Sequence, residues 1–259
     1  MISKSVQFKN MGKKYKGLMV DLDDTLIKSQ KMYDLATQHT ALYVSKEYGI
    51  DSDDFFNVVN EKYKIISRTF PSTHTRHSRI LVYRLALASL NIKYELSLLP
   101  KLEDMYWDYF LSHVQLYDGV IETFSILKKR GVKIAVVSDG DLSTRIRKVE
   151  AIGLIPYVDE VVASEEVIFE KPFSAIFTLA LSRLGIEAHE AIMLGNNFKN
   201  DIRGAQLLGI RSGIFNPPFD ANLIGQDMQS IIVPDFVINS YQDLLCEFGI
   251  KEKLLDKCP

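Results

Sequence analysis

The sequence predicts an α/β fold in which a mostly parallel sheet is interrupted once by a helical insertion. Short apolar runs of the kind that form buried strands alternate along the chain with segments of helical periodicity. This alternation stops between residues 29 and 114, where the periodicity is helical throughout. With 259 residues, 47% of them hydrophobic, the chain is long enough for one large domain or for a domain with an insertion.

Six apolar runs are predicted to form the strands. The first, KGLMVDL, does not alternate in polarity, which indicates a strand buried on both faces. The others are VKIAVVSD, DEVVASE, AIMLGN, IRSGIFN and DFVINS. The helical segments among them are GVIETFSILKKRG, LSTRIRKVEAIG, FSAIFTLALSRLG and DIRGAQLLG, and several end in glycine, a signal of a helix C-terminus. This alternation predicts right-handed crossovers onto a Rossmann-like parallel sheet, with binding loops at the carboxyl ends of its strands.

The insertion contains four segments with helical periodicity. They are KMYDLATQHTALYVSKEYG, SDDFFNVVNEKYKIIS, HSRILVYRLALASLN and LEDMYWDYFLSHV. Because the insertion leaves the sheet directly after the first strand, we expect it to stand over the carboxyl end of that strand, as a cap or lid does. The predicted division is a core formed by residues 1–28 and 115–259 and an α-helical cap formed by residues 29–114.

The charge balance limits which classes of partner are expected, and the cysteine content bears on the cellular compartment. Lys and Arg number 31 against 33 Asp and Glu, and this balance argues against nucleic acid or a membrane as a partner. No segment has the apolar core of a signal peptide or the length needed to span a bilayer. Cys246 and Cys258 lack the paired spacing of a zinc site or a disulfide scaffold. We therefore predict a reducing, cytoplasmic compartment.

Three acids follow the first predicted strand within four positions. Asp21, Asp23 and Asp24 would repel one another there unless a cation or protons compensate their charge. A polar turn with an acidic helix cap explains one of these acids well but not three. Polar residues also follow the next three strands: Ser138 and Asp139 in VVSDG, Lys171 before Pro172, and Asn196 and Asp201 in GNNFKND.

These four features, in this order and each after a predicted strand, resemble the haloacid dehalogenase superfamily of phosphotransferases. The resemblance is to the branch with a helical cap inserted after the first strand, and it covers essentially the whole chain after an N-terminal arm. It implies that Asp21 is a nucleophile that forms an aspartyl-phosphate, and that Asp23 is a general acid and then a general base. It also implies that Ser138, Asp139 and Lys171 bind the phosphoryl group.

The same resemblance implies Mg²⁺ as the cofactor, held by Asp21, Asp23 through its backbone carbonyl, Asn196 and Asp201. The family usually has an aspartate where this chain has Asn196, which offers only an uncharged carboxamide oxygen. Three interpretations stay open at this stage. The chain is a working enzyme that binds its metal more weakly, a chain that has lost activity, or a chain substituted on purpose to trap a complex.

The stretch STHTRHSR in the predicted cap gathers Arg76, His77 and Arg79 just before a helix. These residues form either a cationic patch that faces an anionic substrate or a solvated helix start. The function implied is Mg²⁺-dependent hydrolysis of a small-molecule phosphate monoester of the sugar, sialic acid or nucleotide phosphate class. The alternatives are a phosphomutase and a non-catalytic protein that binds phosphorylated metabolites. The expected partner is a small phosphorylated metabolite, and the expected assembly is a monomer or homodimer.

Overall fold

The computed structural model describes residues 15–215 and 232–250. Within these residues the chain forms a six-stranded parallel sheet with the strand order β3-β2-β1-β4-β5-β6. The α/β fold with a parallel sheet, and a strand at each of the six apolar runs, are confirmed. The strands are β1 (Gly17–Val20), β2 (Lys133–Ser138), β3 (Glu160–Ala163), β4 (Ala191–Gly195), β5 (Arg211–Phe215) and β6 (Phe236–Ile238).

The central strand β1 is buried on both faces, as its continuous apolar sequence predicts. Side chains alternate across a sheet, so Leu18 and Val20 contribute to one hydrophobic cluster and Met19 to another on the opposite face. Val20 pairs with Val136 of β2 on one side and with Leu194 of β4 on the other. The backbone that follows Val20 therefore emerges at the middle of the sheet edge.

Helices cover both faces and form the insertion. The insertion contains α1 (Gln30–Tyr48), α2 (Ser52–Thr69), α3 (Arg79–Ser89) and α4 (Leu98–His113). The helices after it are α5 (Val120–Lys129), α6 (Leu142–Ala151), α7 (Ser174–Leu184), α8 (Gly204–Gln206) and α9 (Leu244–Glu247). In the insertion α1 packs against α2 and α4, and α2 packs against α3.

The helix predicted for DIRGAQLLG is shorter than expected. Residues 198–203 form a wide π-helical turn, and only the three residues of α8 continue as α-helix. The backbone N–H groups of Asp201 and Ile202 both donate to the carbonyl of Asn197, at 2.9 and 3.2 Å. Both of these side chains are buried. The wide turn thus buries a carboxylate and an apolar side chain that follow each other in the sequence.

The two segments that join the insertion to the sheet run side by side. The N–H of Lys28 donates to the carbonyl of Gln115 at 2.9 Å, and the N–H of Tyr117 donates to the carbonyl of Leu26 at 2.9 Å. Ile27 and Leu116 form an antiparallel bridge between these bonds. We call residues 26–28 and 115–117 the connecting ribbon. It fixes the point at which the chain leaves the sheet beside the point at which it returns.

Cys246 lies in α9 and is disulfide-bonded, which the spacing of the cysteines does not indicate. The cysteines therefore give no support to a reducing compartment. Cys258 and the N-terminal arm lie outside the described residues. Across residues 15–215 and 232–250, no helix combines the length and the apolar character needed to cross a membrane.

Candidate active site

Four loops meet at the carboxyl edge of the sheet. They follow β1, β2, β3 and β4, which are neighbours in the sheet; Asp21, Lys171 and Asp201 lie in three of these loops, and Ser138 is the last residue of β2. The N–H of Asp21 still donates to the carbonyl of Leu194 at 2.9 Å, so the sheet ladder itself positions this residue. The edge predicted to carry the chemistry is therefore where these side chains lie.

A buried ammonium group joins two of the predicted acids. The Nζ atom of Lys171 donates to Oδ1 of Asp21 at 2.6 Å and to Oδ1 of Asp201 at 2.7 Å, and its side chain is 3% exposed. Burial raises the pKa of Asp21 to about 6, against the lowering effect of Lys171. Burial opposes the charge of Lys171, but Asp201 and Asp21 raise the pKa of this lysine above its usual value. A side chain thus supplies part of the positive charge that the acids require.

A second ion pair at the site has no counterpart in the sequence predictions. Lys148, from α6, is fully buried, and its Nζ atom donates to Oδ1 and Oδ2 of Asp23 at 2.6 and 2.9 Å and to the hydroxyl of Tyr33 at 2.7 Å. Burial lowers the pKa of Lys148 to about 8. Burial alone would raise the pKa of Asp23, but Lys148 and Arg145 outweigh it and lower this pKa to about 2. Asp23 is therefore ionised in this arrangement at neutral pH.

The loop after β2 links the lysine to the cavity. Ser138 is buried, and Oδ1 of Asp139 accepts a hydrogen bond from the backbone N–H of Lys171 at 2.9 Å. Burial raises the pKa of Asp139 to about 6. The carbonyl of Asp139 accepts hydrogen bonds from Nε and Nη2 of Arg145 at 2.8 and 2.5 Å. Asp139 thus binds the backbone of Lys171 through its side chain and the guanidinium of Arg145 through its carbonyl.

A cavity of about 410 Å³ lies between this edge and the inserted helices. Its core side is lined by Asp21, Asp23, Ser138, Asp139 and Arg145. Its helical side includes Tyr33, Asn60, Tyr63, His77, Arg79 and Trp107. The volume and the mixture of aromatic and polar walls suit a small polar molecule.

The predicted cationic patch of the insertion is split by the structure. Arg79 and His77 line the cavity, whereas Arg76 lies outside its lining. Nη1 of Arg76 is 3.3 Å from one carboxylate oxygen of Glu170, and Nε2 of His77 is 2.7 Å from the other. Burial lowers the pKa of His77. Arg79 is 9% exposed, so a solvated helix start does not describe it.

The residues predicted to hold a metal supply oxygen atoms, which suits a hard cation such as Mg²⁺. Asn196 is the first residue after β4. Because Val20 pairs with Leu194 in the β1–β4 ladder, Asn196 lies close to the backbone of Asp21. Both oxygens of Asp201 accept a hydrogen bond: Lys171 donates to Oδ1 at 2.7 Å, and the N–H of Asn197 donates to Oδ2 at 3.0 Å. The described residues contain no group of three or more His, Cys, Asp or Glu that could hold a metal ion. The donor chemistry fits Mg²⁺, and each oxygen of Asp201 already accepts one hydrogen bond.

Comparisons with known proteins cover the sheet and the inserted helices together. The sequence profile described as "Haloacid dehalogenase-like hydrolase" matches residues 18–215. A ribulose-1,5-bisphosphate 5-phosphatase of Halopiger xanaduensis is 33% identical over 202 residues, which are 77% of this chain and 84% of that protein. A glyceraldehyde 3-phosphate phosphatase of Methanopyrus kandleri is 30% identical over 238 residues, which are 89% and 95% of the two chains.

The fold is also found among solved structures. The crystal structure of a HAD phosphatase from Thermococcus onnurineus matches with a TM-score of 0.67 and 22% identity. The match covers 90% of this chain and 98% of that chain. At this identity the likeness concerns the fold, and it extends over the insertion as well as over the sheet.

Proposed function

The chain belongs to the haloacid dehalogenase-like hydrolase family, and from this premise we propose that it hydrolyses a small phosphate monoester through an aspartyl-phosphate on Asp21. The membership confirms the family that the sequence motifs predict, and the phosphatases among its relatives confirm the kind of enzyme. One observation carries the mechanism. A buried carboxylate, Asp21, lines a small cavity with Asp23 two residues away and with a lysine ammonium in direct contact.

Asp21 is proposed to attack the phosphorus atom and to displace the ester oxygen. An ionised carboxylate needs no general base for this step. Lys171 favours the ionised form, and the hydroxyl of Thr25 donates to Oδ2 at 3.0 Å, so the side chain is held in one orientation. Ser138 and Lys171 are proposed to bind the phosphoryl oxygens, where the lysine offsets charge that develops in the transition state. Water then hydrolyses the aspartyl-phosphate and releases phosphate.

Asp23 is proposed to move the protons. Its ionised form, favoured by Lys148, is the form that accepts a proton from the attacking water. To protonate the leaving alkoxide it must first gain a proton, and the ion pair with Lys148, which favours the ionised form, must loosen for this to happen. The family resemblance implies phosphate binding for Asp139 as well. Its carboxylate binds the backbone of Lys171 instead, so we propose that Asp139 positions the lysine loop and leaves the phosphoryl group to Ser138 and Lys171.

Mg²⁺ is the proposed cofactor, with Asp21, the backbone carbonyl of Asp23, Asn196 and Asp201 as the residues that would hold it. When bound, the ion would screen the repulsion between an anionic nucleophile and an anionic substrate. Asn196 contributes no charge to this set, and we therefore propose a working enzyme with weak metal affinity.

We expect Asn196→Asp to lower the Mg²⁺ concentration for half-maximal activity by about tenfold. A unit charge about 4 Å from another contributes roughly 4 kcal/mol at an effective dielectric near 20. A third of that remains a change of about tenfold in affinity. The measurement is a Mg²⁺ titration of each protein, followed by phosphate release and independently by the melting temperature. Asn200→Asp adds the same charge to the same loop and serves as the control. Superimposable titrations of Asn196→Asp and wild type would mean that Asn196 is not a ligand.

The inserted helices are proposed to act as a cap, residues 29–114, on a core of residues 1–28 and 115–259. Arg79 and His77 belong to the insertion and line the cavity, which therefore needs both parts. A cavity of about 410 Å³ suits a small phosphorylated metabolite better than nucleic acid or a membrane. A monomer or homodimer completes the proposal, and the cytoplasmic compartment stays a prediction that the disulfide-bonded Cys246 does not support.

A screen of small phosphate monoesters with Mg²⁺ tests the proposed function. We expect release of inorganic phosphate from sugar, sugar acid or nucleotide monoesters, and no release from phosphodiesters, which lack the dianionic phosphoryl group. A phosphomutase would instead move the phosphoryl group between positions of the substrate without releasing it. Binding of monoesters without any turnover at saturating Mg²⁺ would support the non-catalytic alternative, for which Asn196 is the supporting feature.

A further inference from the structure

Arg79 is a buried cation without an anionic partner. Its guanidinium carbon lies 4.3 Å from the ring centre of Tyr106, 4.9 Å from that of Tyr63 and 5.7 Å from that of Tyr33. Within residues 15–215 and 232–250 the guanidinium makes neither a hydrogen bond nor an ion pair, and its Nε atom is buried without a partner. Burial raises the pKa of Glu103 and the charge of Arg79 acts to lower it, but the carboxylate of Glu103 does not lie within ion-pair distance of the guanidinium. A buried charge of this kind is costly unless something binds it.

Arg145 is the second guanidinium at the cavity, and its Nη1 atom is also buried without a partner. Its other two nitrogens bind the carbonyl of Asp139 in the loop after β2, so Arg145 lies at the core side with Ser138. Lys148, in contrast, is neutralised by Asp23. The cavity therefore carries two cationic groups that the described residues leave available, one on its core side and one on its helical side.

Arg145 and Arg79 lie at opposite sides of the cavity, so they would contact opposite ends of a bound ligand. Asp21 and Ser138 place the scissile phosphoryl group at the core side, where Arg145 lies. Arg79 begins α3 in the insertion and lines the wall of the same cavity, where the rest of the ligand must lie. The planar fork of an arginine suits a carboxylate or a phosphate, which it binds through two parallel hydrogen bonds. The three tyrosine rings surround the guanidinium and restrict its position in advance, which lowers the entropic cost of binding.

We infer that the substrate carries a second anionic group, a carboxylate or a second phosphate, and that Arg79 binds it. This inference rests on the proposed function, since it takes the scissile phosphoryl group to lie at Asp21. It makes Arg79 a specificity-determining residue and assigns the chain to phosphorylated acids or bisphosphates rather than to neutral sugar monophosphates.

Two matched pairs of esters test the inference. Glycerol 3-phosphate and 3-phosphoglycerate differ in a carboxylate, and fructose 6-phosphate and fructose 1,6-bisphosphate differ in a second phosphate. We expect Arg79→Gln to lower kcat/KM for the anionic member of at least one pair by roughly ten- to a hundredfold, as expected for the loss of hydrogen bonds to a charged group. For glycerol 3-phosphate and fructose 6-phosphate, which lack the second anionic group, kcat/KM should change by less than about threefold. The pair that responds identifies the anion as a carboxylate or a phosphate.

Arg84→Gln is the control, because Arg84 lies on the same helix with its side chain exposed, and it should alter neither ester of a pair. Arg79→Gln should melt within a few degrees of wild type, since it removes an unpaired buried charge. Equal losses for the two members of each pair, or no loss for either, would overturn the inference. If wild type releases phosphate from no ester, the proposed function fails, and calorimetric titration with 3-phosphoglycerate and with fructose 1,6-bisphosphate decides the inference by itself. Equal affinity of wild type and Arg79→Gln for both would then overturn it.

Discussion

Replacing Asp21 with Asn is expected to reduce phosphate release by at least about a thousandfold, the scale seen when a catalytic nucleophile is removed. The carboxamide has nearly the shape of the carboxylate: its one oxygen can accept the hydrogen bond of Lys171, and its NH2 group can donate to the hydroxyl of Thr25. It has no anionic oxygen with which to attack phosphorus, so no aspartyl-phosphate forms. The measurement is phosphate release from the best ester of the screen, with the melting temperature recorded for both proteins.

Asp24→Asn is the matched control for this variant, because it makes the same change three residues further along the loop. Oδ1 of Asp24 accepts hydrogen bonds from the N–H groups of Ser29 and Gln30 at 2.9 and 3.1 Å, a role that an asparagine oxygen fills. Its φ angle of 56° is one that asparagine tolerates. Activity close to wild type is expected for Asp24→Asn. Substantial turnover by Asp21→Asn would rule out this residue as the nucleophile.

Replacing Lys171 with Met is expected to affect both activity and stability. The ammonium contacts the carboxylates of Asp21 and Asp201 in a buried site, and breaking such an arrangement costs about 3–5 kcal/mol. For a protein of this size that corresponds to a fall in the melting temperature of roughly 10 °C. Phosphate release should fall by at least about a hundredfold, because the transition state loses a preorganised cation.

The stability defect of this variant should depend on pH. The pKa of Asp21 is raised to about 6 by burial, and it rises further when the lysine is absent. A carboxyl group with a higher pKa in the folded protein than in the unfolded chain binds its proton more tightly when folded, so lower pH favours the fold. The variant should therefore lose less stability at pH 5 than at pH 8. The exposed Lys129→Met serves as the control, and an equal melting temperature for all three proteins would contradict the role of Lys171.

The position of a predicted acid at the end of a strand could be inferred from the sequence, because the apolar run that forms the strand can be recognised from a few consecutive residues. A run such as GLMV, which is apolar without alternation, must be buried on both faces, and the polar residue that follows it must lie at the sheet edge. Asp21 and Ser138 lie at the sheet edge by this logic, whereas Lys171 and Asp201 lie further along the loops after β3 and β4, and their assignment comes from the family resemblance. The apolar periodicity of the inserted helices is equally local, and α1 to α4 agree with it.

Lys148 shows what the sequence could not reveal. It lies in a largely polar helix, where a lysine normally faces solvent. Its burial depends on Trp107 and Phe110 of α4, whose rings its ammonium contacts, and on Asp23, 125 positions away. The pairing of Arg76 with Glu170, 94 positions apart, is non-local in the same way. Contacts of this kind arise from the packing of the insertion on the core, and no periodicity of a single segment encodes them.

The connecting ribbon has a consequence for the history of such proteins. Because its two segments are hydrogen-bonded to each other, the chain leaves and re-enters the sheet at points about 5 Å apart, the usual spacing of paired strands. A segment with adjacent ends can be lengthened, shortened or exchanged without displacing the sheet that carries it. Descent can therefore remodel the helices of the insertion, and with them the helical wall of the cavity, while the proposed nucleophile, Asp21, stays on the ladder of β1 and β4. Proteins with this fold can therefore diverge in the insertion while the sheet and the position of Asp21 stay unchanged.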